Sequence, residues 1–464
     1  MTSKRAAHIL LLICTLTTAC APYAANTPTI RSSLSAGDYA GAFAAVERAA
    51  QGPSKLLFFL EGGLIAHYDG DYAHSNALLE QAERIADELF TRSLSRELAA
   101  LVTSDESRHY RGETYELVFI HYYCALNYWY LDLPEDALVE CRKANLKLEK
   151  YTSRSESEVT YKNDPFIHYL AALFYESEGE YNDAYISLKD AASAYRLYTE
   201  KLGLSAPAEL REDLARVESE LGYAGAVTGI QQLSQTAETG ELIVFAEFGF
   251  IPRKTQEEVS LPIYDSDLKR VRSGRVNTVS TQIRHRRERS DGHAGSNRRD
   301  RYGRYRSSQN VDYWLRVALP RFESAGGNPK RVRIVSGDLT VTPAIAQNLD
   351  GLARLTLDDH SGSIFGRTVA RALIKLAATK GAEKKSEWLG FLVNLFTAAT
   401  EKADTRSWVT LPREIRIGRL SLPPGQHTIT IQILDESGDV LHETLREVHV
   451  YSGKRTFINH RHYG

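Results

Sequence analysis

The chain has 464 residues, of which 43% are hydrophobic and 25% charged, so it can bury one large or two ordinary globular cores. Its formal net charge of −2 is unevenly divided, because residues 20–239 carry 19 Lys and Arg against 34 Asp and Glu, whereas residues 240–464 carry 36 against 25. The front is therefore acidic and the back basic, and two domains are the default expectation. Four cysteines are too few for a disulfide-linked scaffold.

The first twenty residues have the pattern of an export signal. Two basic residues precede an apolar run (residues 9–18) that is too short to span a bilayer but suits a signal-peptide core. The run ends in Thr-Thr-Ala before Cys20, which resembles a lipobox, where a cysteine receives diacylglycerol carrying fatty acids such as palmitate. We therefore predict a signal peptide at residues 1–19, lipidation at Cys20 and a lipid-anchored linker at residues 20–26. The alternative is an ordinary secretory signal cut at a nearby alanine.

The predicted lipid is also the expected membrane anchor. No later stretch reaches the roughly 18 uninterrupted apolar residues that a membrane-spanning helix needs. Ala21 follows Cys20, whereas an aspartate there is the familiar signal for retention in the inner membrane of a Gram-negative cell. By resemblance to that sorting rule, the predicted location is the outer membrane, with the body facing the periplasm.

In the acidic front, one local pattern recurs four times: a turn, followed by a helix with small residues where a partner helix must approach closely. The turns begin at residues 37, 70, 132 and 179. Three contain Gly, an acid and Tyr, and the fourth, Asp132-Leu133-Pro134, is degenerate. Glycine can take the left-handed conformation that ends a helix, and small residues permit tight helix packing.

This pattern resembles the tetratricopeptide repeat, whose second helix carries small residues about seven positions apart. The match covers about residues 27–198, with insertions, because the turns depart from the regular ~34-residue period. Residues 27–236 are therefore predicted to form a tetratricopeptide-like array of helical hairpins. An unrelated helical bundle that uses the same packing rules is the alternative.

In such repeats the first helices line a concave face, and the resemblance places six apolar or aromatic side chains on or near it. Aromatic side chains on a rigid concave surface provide contact area at small entropic cost, which is how binding grooves are built. The candidate partner-binding groove therefore consists of Leu60, Tyr68, Tyr122, Trp129, Tyr130 and Tyr169. The alternative is that these residues form the core between repeats.

From Gly240 the pattern changes to short β-rich runs, and residues 241–246 have the character of a central strand entering a new domain. Residues 240–464 are predicted to be an α+β domain with a mostly antiparallel sheet. The further predicted strands cover residues 313–319, 332–335, 407–411, 415–420, 428–434 and 444–450, with helices at 364–378 and 386–403. The apolar stripe from Trp388 to Ala399 favours burial against the sheet, with a lipid surface as the alternative.

The segment from Arg284 to Arg306 holds nine arginines and three acids without apolar periodicity. It is therefore predicted to lie in a disordered basic insertion at about residues 275–310. Its net charge of +6 suits an anionic polymer such as phosphate-rich lipopolysaccharide, whereas export argues against nucleic acid. A solvated loop without a partner is the alternative.

Five strings spread over nearly the whole mature chain carry a further resemblance. They are YRGETYELVFIHYYCALNYWYL (110–131), EDALVECRKA (135–144), NDPFIHYLAALFYESEGEYNDAYISLKDA (163–191), GELIVFAEFGFIPRK (240–254) and ADTRSWVTLP (403–412). They resemble a family of uncharacterised proteobacterial lipoproteins of the outer membrane that join a tetratricopeptide-like front to a β-containing back. Members are often encoded near lipoproteins that resemble activators of peptidoglycan synthases, which implies a role in envelope or peptidoglycan assembly.

No spacing typical of a catalytic, metal or cofactor site is present: there is no phosphate loop, dinucleotide fingerprint or Cys-x-x-Cys pair. The Asp-Asp-His triplet at 358–360 is expected to be a turn that leads into a helix. His460 and His462 are expected to lie in a solvated tail at the chain end. His121 and His168 occupy the same first-helix position, which favours a core or groove-edge role over metal binding.

Cys124 and Cys141 lie almost symmetrically about the third turn and are expected to be neighbours. Two buried thiols are favoured over a disulfide, because facing helices usually run farther apart than a bridge allows.

The sequence thus predicts a lipid-anchored periplasmic scaffold or adaptor that binds a protein partner in the cell envelope, without a cofactor and without enzymatic activity. The alternative function is a cell-envelope hydrolase or transferase with an unrecognised site.

Overall fold

The computed structural model describes residues 23–93, 108–152, 164–223, 239–272, 276–291, 313–324, 331–383 and 402–464. The predicted signal peptide with Cys20 lies outside these ranges, as do residues 292–306 of the basic segment and the predicted stripe from Trp388 to Ala399. No helix in the described ranges is both long enough and apolar enough to cross a membrane.

The front of the chain is an array of helical hairpins. Its helices are α1 (Tyr23–Ser35), α2 (Tyr39–Ala49), α3 (Lys55–Asp69), α4 (Tyr72–Ser93), α5 (Thr114–Tyr130), α6 (Pro134–Thr152), α7 (Pro165–Ser177), α8 (Tyr181–Leu202) and α9 (Glu209–Glu220). Consecutive helices pair as α1–α2, α3–α4, α5–α6 and α7–α8, and α9 packs on α8. The predicted tetratricopeptide-like array is confirmed.

The turns and small residues act as the sequence indicates. The three predicted glycine turns have φ angles between 72° and 85°, and Asp132 takes the same left-handed conformation at the degenerate turn, with φ 60°. A Cβ atom on Gly63 would lie 2.6 Å from the side chain of Leu79. Glycine therefore permits α3 and α4 to approach more closely than a larger residue would.

The back of the chain contains strands and three described helices. The strands are β1 (Gly240–Phe248), β2 (Lys254–Ile263), β3 (Tyr313–Phe322), β4 (Arg331–Ser336), β5 (Leu339–Val341), β6 (Ala344–Asn348), β7 (Glu414–Leu422), β8 (Gly425–Leu434), β9 (Val440–Val450) and β10 (Arg455–His462). The helices are α10 (Asp265–Arg272), α11 (Val276–Asp291) and α12 (Leu349–Glu383).

These strands form two sheets and a separate hairpin. The inner sheet has the order β10-β1-β7-β6, the outer sheet has the order β5-β4-β8-β9, and β2 pairs with β3. Among the described strands, β1 and β10 are parallel and the remaining pairs are antiparallel. The predicted α+β region with mostly antiparallel sheets is confirmed.

The inner sheet lies between the helices and the outer sheet, and β1 is buried on both faces. Ile243 and Phe245 belong to an apolar core shared with the helices, whereas Leu242 and Val244 belong to the core between the two sheets. Because strand side chains alternate between faces, this one strand joins three layers. The helical front and the inner sheet are therefore parts of one packed body.

The pair β2–β3, helices α10 and α11, and the later part of α12 form an arm on this body. Helix α12 begins in the core shared with the helices, at Leu349 and Leu352, and continues into the arm. The arm has its own apolar core, formed by Leu261, Ile263, Val279, Ile283, Leu315, Val317, Phe365, Val369, Ala372 and Leu373.

Three local predictions are wrong. Residues 407–411 form an irregular buried segment and not a strand, and residues 358–360 lie inside α12 and not in a turn before it. His460 and His462 lie in β10, where His460 is 4% exposed, and not in a solvated tail. For His460 and His462 the conformation is set by a distant neighbour, through the parallel pairing of β10 with β1.

The predicted disordered insertion also needs a correction. Residues 276–291 form α11, and its Val279 and Ile283 are buried in the arm core. Val279 and Ile283 are four positions apart and so lie on one face of a helix. This spacing indicated a helix with one buried face before the arginine-rich stretch. Disorder from about residue 275 is therefore wrong for residues 276–291.

Candidate functional site

The concave face of the helical array is occupied by the chain's own inner sheet. First helices α3, α5 and α7 are buried along most of their length between the second helices and this sheet. Leu60 is fully buried in the shared core, and the ring of Trp129 packs edge-on against Phe457 of β10 at 4.9 Å. Tyr130 donates a hydrogen bond to Asn459 of the same strand at 3.2 Å.

The remaining predicted groove residues also contact charged groups of the back half. Tyr68 and Tyr122 donate to Glu247 on β1 at 2.5 and 3.0 Å, and the Tyr169 hydroxyl lies 3.1 Å from the Arg419 guanidinium on β7. The six predicted groove residues thus lie on one side of the array, as the repeat resemblance implies. In this structure Leu60, Tyr122 and Tyr169 are buried in the core shared with the inner sheet, and the other three are half-buried and pack against it.

Glu247 lies at the centre of a cluster of tyrosines. Besides Tyr68 and Tyr122, Tyr123 donates to its carboxylate at 3.4 Å, and the carboxyl group is fully buried. Burial raises the pKa of Glu247, although Arg461 and the tyrosine hydroxyls oppose that rise. A buried carboxyl with this many donors is held in one position, which fixes β1 against α3 and α5.

A second polar cluster joins α9 to the inner sheet. Arg419 contacts Asp213 at 2.6 Å and Glu241 at 2.5 Å, while Arg455 contacts Glu241 at 2.8 Å and Glu176 at 2.9 Å. Burial acts to raise the pKa of Asp213, but the nearby arginines outweigh it and hold that pKa well below its usual range. The acids, Glu241 excepted, come from the acidic front, and the arginines come from the basic back.

The irregular segment at 402–413 is fixed by side chains from the helices. Glu61 accepts from the backbone amides of Val409 and Thr410 at 2.7 and 3.3 Å, and Glu116 accepts from the amide of Trp408 at 2.8 Å. These carboxylates satisfy backbone groups that no strand partner satisfies, which allows an irregular segment to be buried. Burial raises the pKa of Glu61 to about 7.

Four of the five strings that carry the family resemblance meet at this interface. Tyr122 and Glu116 come from the first string, Tyr169 from the third, Glu247 from the fourth and Trp408 from the fifth. The hydrogen bonds from Tyr122 to Glu247 and from the Trp408 amide to Glu116 join these strings to one another. These residue types therefore serve the packing of the array on the back half.

The buried acids of this interface were not predicted from the sequence. Glu61 and Glu247 each interrupt an apolar run, in LLFFLEGGL and LIVFAEFGF. A single acid inside an otherwise buried segment needs hydrogen-bond donors from another part of the chain. An acid that interrupts an apolar run was therefore the sequence signal for a buried polar contact. The identity of those donors could not be derived, because they lie up to 349 positions away.

His121, His168, Cys124 and Cys141 are buried in the array. His121 lies 2.7 Å from Glu140, and no ring nitrogen of His168 has a hydrogen-bond partner in the described part of the chain. Cys124 and Cys141 are free, buried thiols, as favoured over a disulfide. No group of three or more His, Cys, Asp or Glu among the described residues is placed to hold a metal ion.

Comparison with known proteins gives structural likeness at low similarity. No family model matches the sequence, and no curated protein matches it. MamA of AMB-1 is 13% identical over 43% of this chain and 82% of its own, with a TM-score of 0.26.

Two further solved structures are similar to about the same extent. Aspartyl phosphate phosphatase F of Bacillus subtilis is 18% identical over 40% of each chain, with a TM-score of 0.26. The nearly identical tetratricopeptide-like repeats of a kinesin-light-chain-type protein from Podospora anserina are 16% identical over 43% of this chain and 86% of their own, with a TM-score of 0.28. At these values the likenesses assign no activity to this chain.

Proposed function

We propose that this protein is a lipid-anchored scaffold or adaptor of the bacterial cell envelope, facing the periplasm from the outer membrane and binding other envelope proteins during envelope or peptidoglycan assembly. The observation that carries the proposal is the single apolar core shared by the helical array and the inner sheet. A core of this kind makes the array a rigid support. A rigid support can present a fixed surface to a partner without ordering itself first.

The partner surface in this proposal is the outer layer of second helices, because the concave face is occupied. Exposed apolar side chains in this layer include Val139 and Leu146 on α6 and Ile186 on α8, with exposed fractions of 42%, 64% and 57%. Large apolar side chains near the centre of a contact contribute most to binding between proteins. The outer faces of α6 and α8 are therefore the surface to test.

Replacing Cys20 by alanine should move the protein from the membrane fraction to the soluble fraction, because the thiol that would carry the lipid is removed. Fractionation of cells followed by immunoblotting measures this. Cys141→Ala, which removes a buried thiol of the body, should leave the protein with the membranes. If Cys20→Ala still sediments with membranes, another surface is the anchor and the lipoprotein assignment fails.

A double variant with Leu146→Glu and Ile186→Glu should lose its crosslinked protein partner while keeping its fold, because both side chains are more than half exposed. The measurement is affinity purification from crosslinked membranes, with captured proteins identified by mass spectrometry. Leu445→Glu is the matched control, since Leu445 is 62% exposed on the outer sheet. Retention of the partner by the double variant and its loss from the control would place the binding surface on the sheets.

A further inference from the structure

A cleft of about 490 Å³ lies between the β2–β3 hairpin, α11 and α12. This volume is within the range of sites that hold small molecules. Its apolar floor joins two cores, because Phe322 and Leu357 pack with the core of the body, whereas Leu319 and Phe365 pack with that of the arm. The cleft therefore lies where the arm meets the body.

Three arginines and two acids surround the floor. The arginines are Arg284, Arg321 and Arg354, and the acids are Glu257 and Asp358. The side chain of Arg321 is 64% exposed and lies 3.9 Å from Glu257, the limit of an ion pair. Arg354 is already paired with Asp350 at 2.5 Å, so Arg284 and Arg321 are the guanidinium groups that a ligand on the apolar side chains would meet.

The cleft depends on a glycine in the middle of a long helix. Gly362 lies inside α12, where glycine is less favourable to the helix than alanine. A Cβ atom at this position would lie 2.7 Å from the Arg284 guanidinium. Gly366, one turn later, would meet nothing within 4 Å. Gly362 therefore leaves the space in which Arg284 reaches across the helix into the cleft.

We propose that this cleft binds an acidic amphiphile, with a phosphate or carboxylate headgroup at Arg284 and Arg321 and a hydrocarbon chain on the floor of Phe322 and Phe365. The planar guanidinium group presents several donors to an oxyanion, which makes arginine well suited to phosphate and carboxylate groups. Hydrocarbon on the floor would remove apolar surface from water. This ligand site is independent of the proposed protein-binding surface on α6 and α8.

The test uses the full chain with Cys20→Ala and dodecyl phosphate below its critical micelle concentration, with binding measured by isothermal titration calorimetry. We expect saturable binding with one site. Arg321→Glu should weaken it about tenfold or more, because a charge-assisted contact becomes a repulsive one. Gly362→Leu should weaken it to a similar extent by filling the cleft, whereas Gly366→Leu is the matched control and should bind as before.

Two other probes separate the parts of the ligand. Inorganic phosphate lacks the chain and dodecyl maltoside lacks the charge, so each should bind at least about tenfold more weakly than dodecyl phosphate if both parts contribute. Equal binding of either probe overturns the amphiphile assignment. Absence of dodecyl phosphate binding, or unchanged binding by both Arg321→Glu and Gly362→Leu, overturns the site, provided that thermal unfolding shows the variants to be folded.

Discussion

Replacing Trp408 by alanine should lower the free energy of unfolding by about 3–5 kcal/mol, the usual result of removing a buried tryptophan from a core. Trp408 is fully buried, its ring centroid lies 6.2 Å from that of Tyr123 on α5, and its indole nitrogen donates to Thr410 at 3.0 Å. Because it belongs to the core shared by helices and inner sheet, both should unfold in one transition. Urea denaturation followed by far-ultraviolet circular dichroism measures the loss.

Trp314→Ala is the control for this prediction. Trp314 lies on β3 of the arm and is 58% exposed, so its removal should change stability by only about 0.5 kcal/mol. Equal losses for Trp314→Ala and Trp408→Ala would contradict the central role of the 402–413 segment. Two well-separated transitions in the unmodified protein would contradict the single packed body.

Replacing Asp213 by asparagine should also destabilise the fold by about 3–5 kcal/mol, because breaking a buried ion pair leaves its partner charge uncompensated. Asp213 is fully buried, and the Arg419 and Arg455 side chains that contact it are 9% and 4% exposed. Asp69→Asn, at the exposed end of α3, should change stability by about 0.5 kcal/mol or less. The measurement is again urea denaturation at neutral pH.

The effect of Asp213→Asn should depend on pH in a defined direction. A carboxyl whose pKa is lowered in the folded state adds stability above its unfolded pKa, and that stability is lost as the pH falls through the folded pKa. For Asp213 the folded pKa is well below the usual range, so the contribution is complete at neutral pH and declines below about pH 4. The free energies of unfolding of the unmodified and Asp213→Asn proteins should therefore become more similar as the pH falls into the acid range. A difference that grows in acid would contradict the assigned charge state of Asp213.

The helical front could be predicted from its sequence because its signals are local. A turn and the small residues that follow it lie within about 15 positions, so Gly37 or Gly179 and the alanines after them are visible without any knowledge of the fold. The strands at 415–420 and 428–434 were visible for the same reason, through alternation over a few residues. The conformation of residues 407–411 was not predicted correctly, because their β-like composition reflects burial and not pairing with a neighbouring strand.

The occupant of the concave face could not be predicted from any local pattern. The bond between Tyr68 and Glu247 joins residues 179 positions apart, and that between Glu61 and Val409 joins residues 348 apart. The division of charge between an acidic front and a basic back was visible in the sequence, but it did not indicate which charges meet.

By itself, the sequence determined the hairpins, their turns and most strands, because backbone conformation and the side on which a residue lies follow from nearby residues. The tertiary structure decided that the concave face is filled by the inner sheet, that β10 is an edge strand of this sheet and not a free tail, and that Gly362 leaves room for Arg284. Those features depend on which distant surfaces bury the most apolar area together while leaving the fewest buried polar groups without partners, a condition that only the whole chain can satisfy.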